Sequence, residues 1–520
     1  MFVTATLARH DPRSSRIFEE RVLALPQIIA ADNVAGETDY LLTVVARDVA
    51  ELQQVLASLA TRGGQRLVTY LRLEEVKPPL PATAGAGYGR AGPAIPPPSP
   101  ANHSLTSTGG VKRWVRRYRC VSCRPVAAAV RGDWMRAEEA LRPRRCAVIG
   151  AGVLGACVAA RLAEAGVEVT LLEQAQPGDA ATRSSFAWLN ANDKMPRAYH
   201  DLNHAGMRAW ARLSASLGGS AWYRGTGNIE WAATSAGRAQ LAARVRRLAG
   251  WGYQARLVDA AEAAGLEPSL RLAEPAPEVA WFPEEGYLLT TPLIRQLTRL
   301  AAQHGATVAT GEPGRVVGLD APSGVVRAVR TAAGDVIPAD AVVCCAGRWV
   351  PGLVALAAAA CPVPLVPWAA AGATAPGLVV HVGPVRAPGP VRVVHAPEVY
   401  LRPHSEGLVH LEAPDAAVDL HTPEAGLRRW AQQLLRRARQ AVRGLQDAGV
   451  VGHRVCVRPM PADGQSIVGW LPGARGLYVA VTHSGVTLGA HLAQLITAEL
   501  VGGAAATELA PYRPDRFMAG

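Results

Sequence analysis

The stretch Cys146-Ala147-Val148-Ile149-Gly150-Ala151-Gly152-Val153-Leu154-Gly155 decides the reading of this chain. Its first four residues are a short, apolar, β-prone run. Ala156 to Ala165 is rich in helix formers, Gly166 is placed to cap a helix C-terminus, and Val167 to Leu172 reads as a second strand ending at Glu173. In such a strand–turn–helix–strand unit each glycine has a separate task. Gly150 permits the tight turn, Gly152 lets backbone approach a pyrophosphate, and Gly155 lets the helix pack on the strand. Val153 and Leu154 lead into the helix, whose unpaired N–H groups and partial positive charge suit phosphates. Glu173 stands where a carboxylate accepts hydrogen bonds from a ribose, with Gln174 beside it. An acid there favours a free 2′-hydroxyl, so FAD or NAD fits better than NADP.

Further along, three more blocks face the same way. Ala181-Thr182-Arg183-Ser184-Ser185-Phe186-Ala187-Trp188 is small and hydroxyl-rich. Asp340-Ala341-Val342-Val343-Cys344-Cys345-Ala346-Gly347-Arg348-Trp349 reads as a strand and turn. Arg458-Pro459-Met460-Pro461-Ala462-Asp463-Gly464 is followed by Leu477-Tyr478-Val479-Ala480-Val481-Thr482-His483-Ser484-Gly485-Val486-Thr487-Leu488 and a helix over Ala490 to Leu500. With the first turn, these blocks resemble the D-amino-acid oxidase/dehydrogenase superfamily of FAD enzymes, which includes glycine oxidase and sarcosine oxidase. The resemblance runs from about Arg144 to Tyr512. It implies FAD as the cofactor, held by Gly150, Gly152, Val153, Leu154, Gly155, Glu173, Gln174, Thr182, Ser184, Ser185, Ala346, Gly347, Trp349, Ser484, Gly485, Val486 and Thr487. Val316 is expected on a strand beside the adenine.

The same resemblance assigns the substrate side. Arg458, in its Arg-Pro motif, matches the carboxylate-binding arginine, and a guanidinium can grip a carboxylate with two parallel hydrogen bonds. A solvated charge at a strand end is the other role open to it. Tyr400 resembles a tyrosine that covers the amino acid, Arg402 is a second candidate anchor, and His483 stands near the flavin or bonds backbone. The implied reaction is hydride transfer from a substrate C–N carbon to flavin N5, giving an imine that hydrolyses to a 2-oxo acid and ammonia. The alternative is an amino-acid-responsive regulatory protein with a degenerate flavin domain.

Between the blocks, Trp222 to Trp231 reads as a strand pair joined through glycine. Tyr199–Leu217, Ser235–Leu248 and Leu293–Gln303 read as amphipathic helices. The expected cofactor-domain parts are 144–215, 295–352 and 453–505, interleaved with substrate-domain parts 216–294 and 353–452 of a domain spanning 144–515. The apolar run Val354 to Cys361 is too short to cross a bilayer.

Residues 1–80 read differently. Strand-like runs at Phe2–Leu7, Ile28–Val34, Asp39–Val45 and Leu67–Val76 alternate with helices at Ser15–Leu25 and Val49–Thr61, the ferredoxin-like order β-α-β-β-α-β. With Gly36-Glu37-Thr38-Asp39-Tyr40-Leu41-Leu42 and Leu73-Glu74-Glu75-Val76-Lys77, this segment resembles the effector-binding domain of Lrp/AsnC regulators. That implies dimerisation and amino-acid binding. The family's helix-turn-helix is not in the sequence before the first strand, which argues against nucleic acid as a partner. The fold class is therefore mixed: an α+β ferredoxin-like domain, then an α/β Rossmann-like FAD-binding domain interleaved with a mixed-sheet substrate domain.

Residues 81–143 carry Pro96-Pro97-Pro98-Ser99-Pro100 and then a basic stretch, and read as an extended, disordered linker. Lys112 to Arg145 holds eleven Lys/Arg against three acids, so a net of +8 of the chain's +12 lies in this junction. Its basicity would suit nucleic acid or anionic lipid, but a solvated run is the commoner role. Cys120-Val121-Ser122-Cys123 has zinc-like spacing without a second ligand pair, so no metal is expected. Eight cysteines at irregular spacing point to buried thiols in a reducing cytoplasm. The chain opens with no charged and apolar signal run. Peripheral contact with the inner membrane face would suit a quinone-linked dehydrogenase, and the electron acceptor, oxygen or quinone, is not readable from these residues. The expected partners are a small amino-acid or amine substrate and a second copy of the N-terminal domain.

Overall fold

The computed structural model describes residues 143–518 apart from 274–276 and 358–360, and, nearer the N-terminus, four strands with a few residues around them. The linker and its basic stretch, with Cys120 and Cys123, lie outside the described residues. The chain divides into two units, Met1–Arg117 and Tyr118–Gly520.

In the first unit, Phe2–Leu7 pairs antiparallel with both Tyr40–Val44 and Gln65–Tyr70, and Ile28–Asn33 pairs with Tyr40–Val44. The spatial order is second, third, first, fourth. This is the order a ferredoxin-like split βαβ pair produces, because each crossover carries the chain from a central strand out to an edge of the sheet. Phe18, Val22, Val55 and Leu59, all helical, are buried, as are Leu42 and Val44 of the sheet.

In the second unit the helices of six residues or more are α1 (Val153–Glu164), α2 (Arg197–Ser216), α3 (Ser235–Gly250), α4 (Ala260–Leu266), α5 (Thr290–Gln303), α6 (Val350–Ala355), α7 (Glu424–Ala441) and α8 (Gly485–Gly502). A six-stranded sheet runs in the order Thr307–Thr310, Glu168–Glu173, Arg145–Ile149, Ala341–Cys344, Leu477–Val481, Ile467–Trp470. Its first five strands are parallel and the last is antiparallel. A parallel sheet needs both faces covered, so its central strands are apolar. Arg145–Ile149 has only its first residue exposed, and Ala341–Cys344 and Leu477–Val481 are wholly buried. α1, α5 and α8 cover one face, and a small antiparallel sheet of Val316–Asp320, Ala328–Thr331 and Val336–Pro338 covers the other. Three of these parallel strands release their carboxyl ends at Gly150, Cys345 and Thr482, the position where open α/β sheets bind ligands.

A second sheet of eight strands interleaves with the first. Its order is Arg256–Val258, Val279–Phe282, Asn228–Glu230, Val393–Ala396, Val399–Pro403, Val409–Glu412, Pro376–Gly383, Gly449–Val457. α7 buries Ala431, Leu434, Leu435 and Ala438 in the core beneath it. The glycine-joined strand pair expected over Trp222–Trp231 is not a hairpin. Tyr223–Arg224 joins a three-stranded sheet with Gly286–Leu288, while Asn228–Glu230 belongs to the eight-stranded one. Gly227 (φ +82°) turns the chain between them, and a Cβ there would lie 1.9 Å from the Trp281 ring. Close packing, not hairpin geometry, requires that glycine. Among the described residues no helix is long and apolar enough to cross a membrane.

Candidate active site

The glycine turn is built as its residues dictate. Gly150 has φ +98°, and a Cβ on it would stand 2.8 Å from the Cys345 carbonyl oxygen of the neighbouring strand end. On Gly155 a Cβ would meet the Gly150 carbonyl oxygen at 1.8 Å. Two strand ends and a helix start thus converge more tightly than side chains allow. Val153 donates its N–H to Thr182 Oγ1 at 3.0 Å, which ties the hydroxyl-rich segment to the start of α1. The next amides of that first turn have no acceptor within the helix, and the turn itself carries no acidic residue. The Glu173 carboxylate accepts from the Ala151 and Ala175 amides at 2.9 and 3.0 Å.

A cavity of about 380 Å³ lies over this turn. Its wall includes Gly150, Gly152, Val153, Leu154, Glu173, Gln174, Thr182, Ser185, Val316, Ala346, Gly347, Trp349, Gly485 and Val486. All of these are sequence-expected cofactor residues. Of the others, Ser184 and Thr487 line an adjoining cavity of about 720 Å³, as does Ser484, and Gly155 packs behind the turn. The donor set matches FAD: a phosphate-facing helix start, an acid at the ribose position, and a glycine floor on which a Cβ at Gly152 would crowd Thr182 Oγ1 at 3.2 Å.

At the far end, α8 begins at Gly485 directly after Thr482-His483-Ser484. Tyr199 donates to Ser484 Oγ at 3.1 Å, the Trp210 indole N–H to the Val486 carbonyl at 2.7 Å, and Thr487 Oγ1 to the Trp188 carbonyl at 3.2 Å. α2 comes close enough that a Cβ on Gly206 would lie 2.5 Å from the Thr487 carbonyl oxygen. The turn is therefore held from three sides. Sequence periodicity put the helix start later, because the glycine and threonine of this first turn are weak helix formers.

The two cavities share Ser185, Cys456, Arg458, His483 and Val486. Arg458 stands at this junction. Its Nε donates to the Ala375 carbonyl at 2.9 Å and its Nη2 to the Thr374 carbonyl at 2.8 Å. Both bonds fix the guanidinium plane. The His483 ring is open to the cavities yet ringed by protein. Burial foremost, then the positive charges of Lys194 and Arg458, hold its pKa far below the ordinary histidine value, so it is neutral.

Tyr400 lines the larger cavity. Burial first, then Glu230 and Glu412, raise its phenol to about 12. Arg402 lines neither cavity. It is 1 % exposed and donates to the carbonyls of Phe186 and Pro403 and to His410 Nδ1, with Tyr287 against its guanidinium at 4.9 Å. The structure thus removes Arg402 from the substrate wall and gives it a core role: it holds Phe186 over the strand. Burial lowers its pKa to about 10, which leaves it cationic at neutral pH.

Several lining residues carry no expectation from the motifs: Arg348, Lys194, Asn190 and Glu412. Arg348 stacks on Trp349 at 4.1 Å and on Trp368 at 4.8 Å. Glu412 pairs across the sheet with Tyr400, so the hairpin through Pro403–Leu408 was the signal that could have found it. The described cysteines are all free and buried, and Cys344 and Cys146 are raised to about 12 by burial, so neither is a nucleophile. Among the described residues no His/Cys/Asp/Glu group could hold a metal ion.

A parallel sheet with helices on one face, a dinucleotide turn and a second sheet closing over the far end of the cavity define an oxidoreductase fold of the flavin class. The FAD dependent oxidoreductase family model matches residues 145–499, and this chain belongs to that family. FAD is its cofactor. The Lrp/AsnC ligand binding domain model matches residues 1–81. Among solved structures, glycine oxidase from Geobacillus kaustophilus aligns at 24% identity and TM-score 0.60, covering 72% of this chain and 99% of that one. Iminodiacetate oxidase from Chelativorans sp. BNC1 aligns at 25% and 0.59, covering 71% and 99%. L-proline dehydrogenase from P. horikoshii shares the fold at 18% and 0.62, covering 72% and 97%. The tRNA 5-methylaminomethyl-2-thiouridine biosynthesis bifunctional protein MnmC of Thiobacillus denitrificans is 33% identical over 144 residues, 26% of this chain. The chain spans about a fifth (21%) of the length of that relative.

Proposed function

We propose that this protein oxidises the C–N bond of an amino acid or a secondary amine, yielding an imine that water converts to a 2-oxo acid and ammonia. The observation that carries this reading is the junction of the two cavities at Ser185, Cys456, Arg458, His483 and Val486. One cavity suits a dinucleotide, and the other opens onto its far end with a fixed guanidinium between them. Bound FAD supplies the two-electron acceptor.

The chain's own residues do the rest. Arg458, its plane fixed by two carbonyls, presents its remaining N–H donors to a substrate carboxylate. The start of α8, with unpaired first-turn amides, stabilises negative charge that develops beside it. Neutral His483 lines the junction without adding a positive charge. Tyr400 closes the larger cavity over the substrate. Relatives named glycine oxidase and iminodiacetate oxidase share this fold and support the substrate class.

The test is anaerobic mixing of the purified holoprotein with glycine, sarcosine, proline and a series of D-amino acids. Bleaching of the oxidised flavin bands, near about 370 and 450 nm, by at least one amine is the expected result. Failure of every amine would remove the reading. Readmitting oxygen or a quinone then identifies the electron acceptor. The N-terminal domain we read as an amino-acid-binding, dimer-forming module, which sizing with and without amino acid would test.

A further inference from the structure

Among the described residues, the larger cavity holds one carboxylate, Glu412, with no hydrogen-bond or ion-pair partner of its own. Glu412 ends its strand opposite Tyr400 on one side and Val379 on the other. Its side chain is half-buried and lines the cavity. Among the described residues it receives no hydrogen bond and joins no ion pair. The neighbouring acids differ: Asp415 is paired with Arg437, and Asp419 accepts from the amides of Gly372 and His421. A half-buried carboxylate that faces a cavity and has no protein donor is open to a ligand's cation.

Arg458 faces the same spot. A Cβ on Gly377 would stand 3.7 Å from Arg458 Cζ and 3.8 Å from Glu412 Oε1. The absent side chain of Gly377 therefore leaves open ground flanked by one guanidinium and one carboxylate. That is the charge pattern of a zwitterion, reversed. A simple amine would leave Arg458 unanswered, and a simple carboxylate would leave Glu412 unanswered.

We propose that Glu412 receives the substrate's ammonium beside the carboxylate held by Arg458, and takes its proton, so that the site selects α-amino acid zwitterions. The inference rests on the amine-oxidising reading above. In the step, one N–H bond of the ammonium breaks and an O–H bond forms on Glu412. The amine nitrogen keeps the electron pair, and the neutral amine can then lose hydride from its α-carbon to FAD. Charged and titratable groups around Glu412 are Arg458, Arg402, Tyr400 and Cys456, with Lys194, His483, Asp193, Asp415 and Asp419 on the cavity wall. Burial foremost raises the pKa of Glu412 above the ordinary carboxylate value, which strengthens it as a proton acceptor, and the two arginines work against that rise.

The test has two arms, both on the full-chain holoprotein. In the first, calorimetry compares 2-aminoisobutyrate, which has no α-hydrogen to lose, with pivalate, its isostere lacking the ammonium. Binding of 2-aminoisobutyrate at least about tenfold tighter is expected, with the advantage lost in Glu412→Gln. Equal binding, or an advantage that survives Glu412→Gln, overturns the proposal. In the second, anaerobic flavin reduction by the fastest amine of the panel is followed against pH. Glu412→Gln should slow it about tenfold at pH 7 and recover toward pH 10, where the amine loses its proton to solvent. A uniform loss without recovery makes Glu412 merely structural and overturns the base. If no amine bleaches the flavin, the proposed function itself falls and takes this inference with it. Bleaching with an unmoved pH profile removes this inference alone.

Discussion

Glu173 Oε2 accepts the amide N–H of Ala151 at 2.9 Å, joining the end of the second strand to the middle of the glycine turn. One carboxylate therefore shapes the turn and faces the cavity that the turn borders. Glu173→Ala removes both backbone bonds as well as the proposed ribose acceptor. Hydrogen bonds to a charged group contribute roughly 1.5–3 kcal/mol each, so the FAD dissociation constant should rise by about 100-fold or more. Glu173→Gln keeps an acceptor oxygen and should fall between. Quenching of flavin fluorescence on titration with apoprotein reads both, and an unchanged constant in Glu173→Ala would show that the turn holds itself.

Gly155 and Gly502 make opposite demands although both lie in helices. A Cβ on Gly155 would overlap the Gly150 carbonyl oxygen, whereas one on Gly502 meets nothing within 4 Å. Gly155→Ala should cost over about 2 kcal/mol and lower the melting temperature by several degrees, because backbone must shift. Gly502→Ala should leave it unchanged or raise it slightly, since alanine loses less entropy in a helix than glycine, by about 0.5–1 kcal/mol. Thermal melts of the holoproteins decide, and a harmless Gly155→Ala would mean that α1 can slide away from the sheet.

What could be read before the fold was known followed the range of the forces involved. The turn at Gly150 to Gly155 is local: strand, glycines and helix lie within one short stretch, and their conformational needs are written in residue type. The expectations for Tyr400 and Arg402 were half-local. Strand alternation puts both on one face, and both do lie there, but Phe186 from 216 residues away folds over Arg402 and takes it from the cavity. Glu412 was invisible as a site residue because only the cross-strand register brings it opposite Tyr400. Asn228–Glu230 looked like half of a hairpin because turn residues cannot reveal that the two strands enter different sheets.

Arg402 and Arg458, both arginines before a proline, should fail in different ways. Arg402 is a buried cation that answers two carbonyls and a histidine, so removing it strands those groups. Arg402→Ala should cost about 3–5 kcal/mol of stability while leaving the KM of surviving enzyme near normal. Arg458→Ala should bind FAD and melt within a few degrees of the parent, yet lose about 100-fold or more in kcat/KM as the proposed carboxylate seat goes. Steady-state kinetics alongside thermal melts separate the two. A KM defect confined to Arg402→Ala would reverse the assignment.

Glu285 provides a pH test of the buried polar centre beneath the larger cavity. Its carboxylate accepts from Trp188 Nε1, Asn192 Nδ2, Asn228 Nδ2 and the Tyr253 hydroxyl, and it is fully buried. Burial outweighs those four donors and raises its pKa to about 8. The folded protein therefore holds this proton at pH values where the unfolded chain, at about 4.3, has released it. Stability from this group is complete below the unfolded value and is lost as pH rises through about 8. Glu285→Gln cannot ionise and keeps one acceptor oxygen. The melting temperature of the parent minus that of Glu285→Gln should fall steadily between pH 5 and 8. Other buried groups titrate in both proteins and cancel in the difference. A difference that stays level across this window would mean the carboxylate is ionised throughout and the four donors outweigh burial.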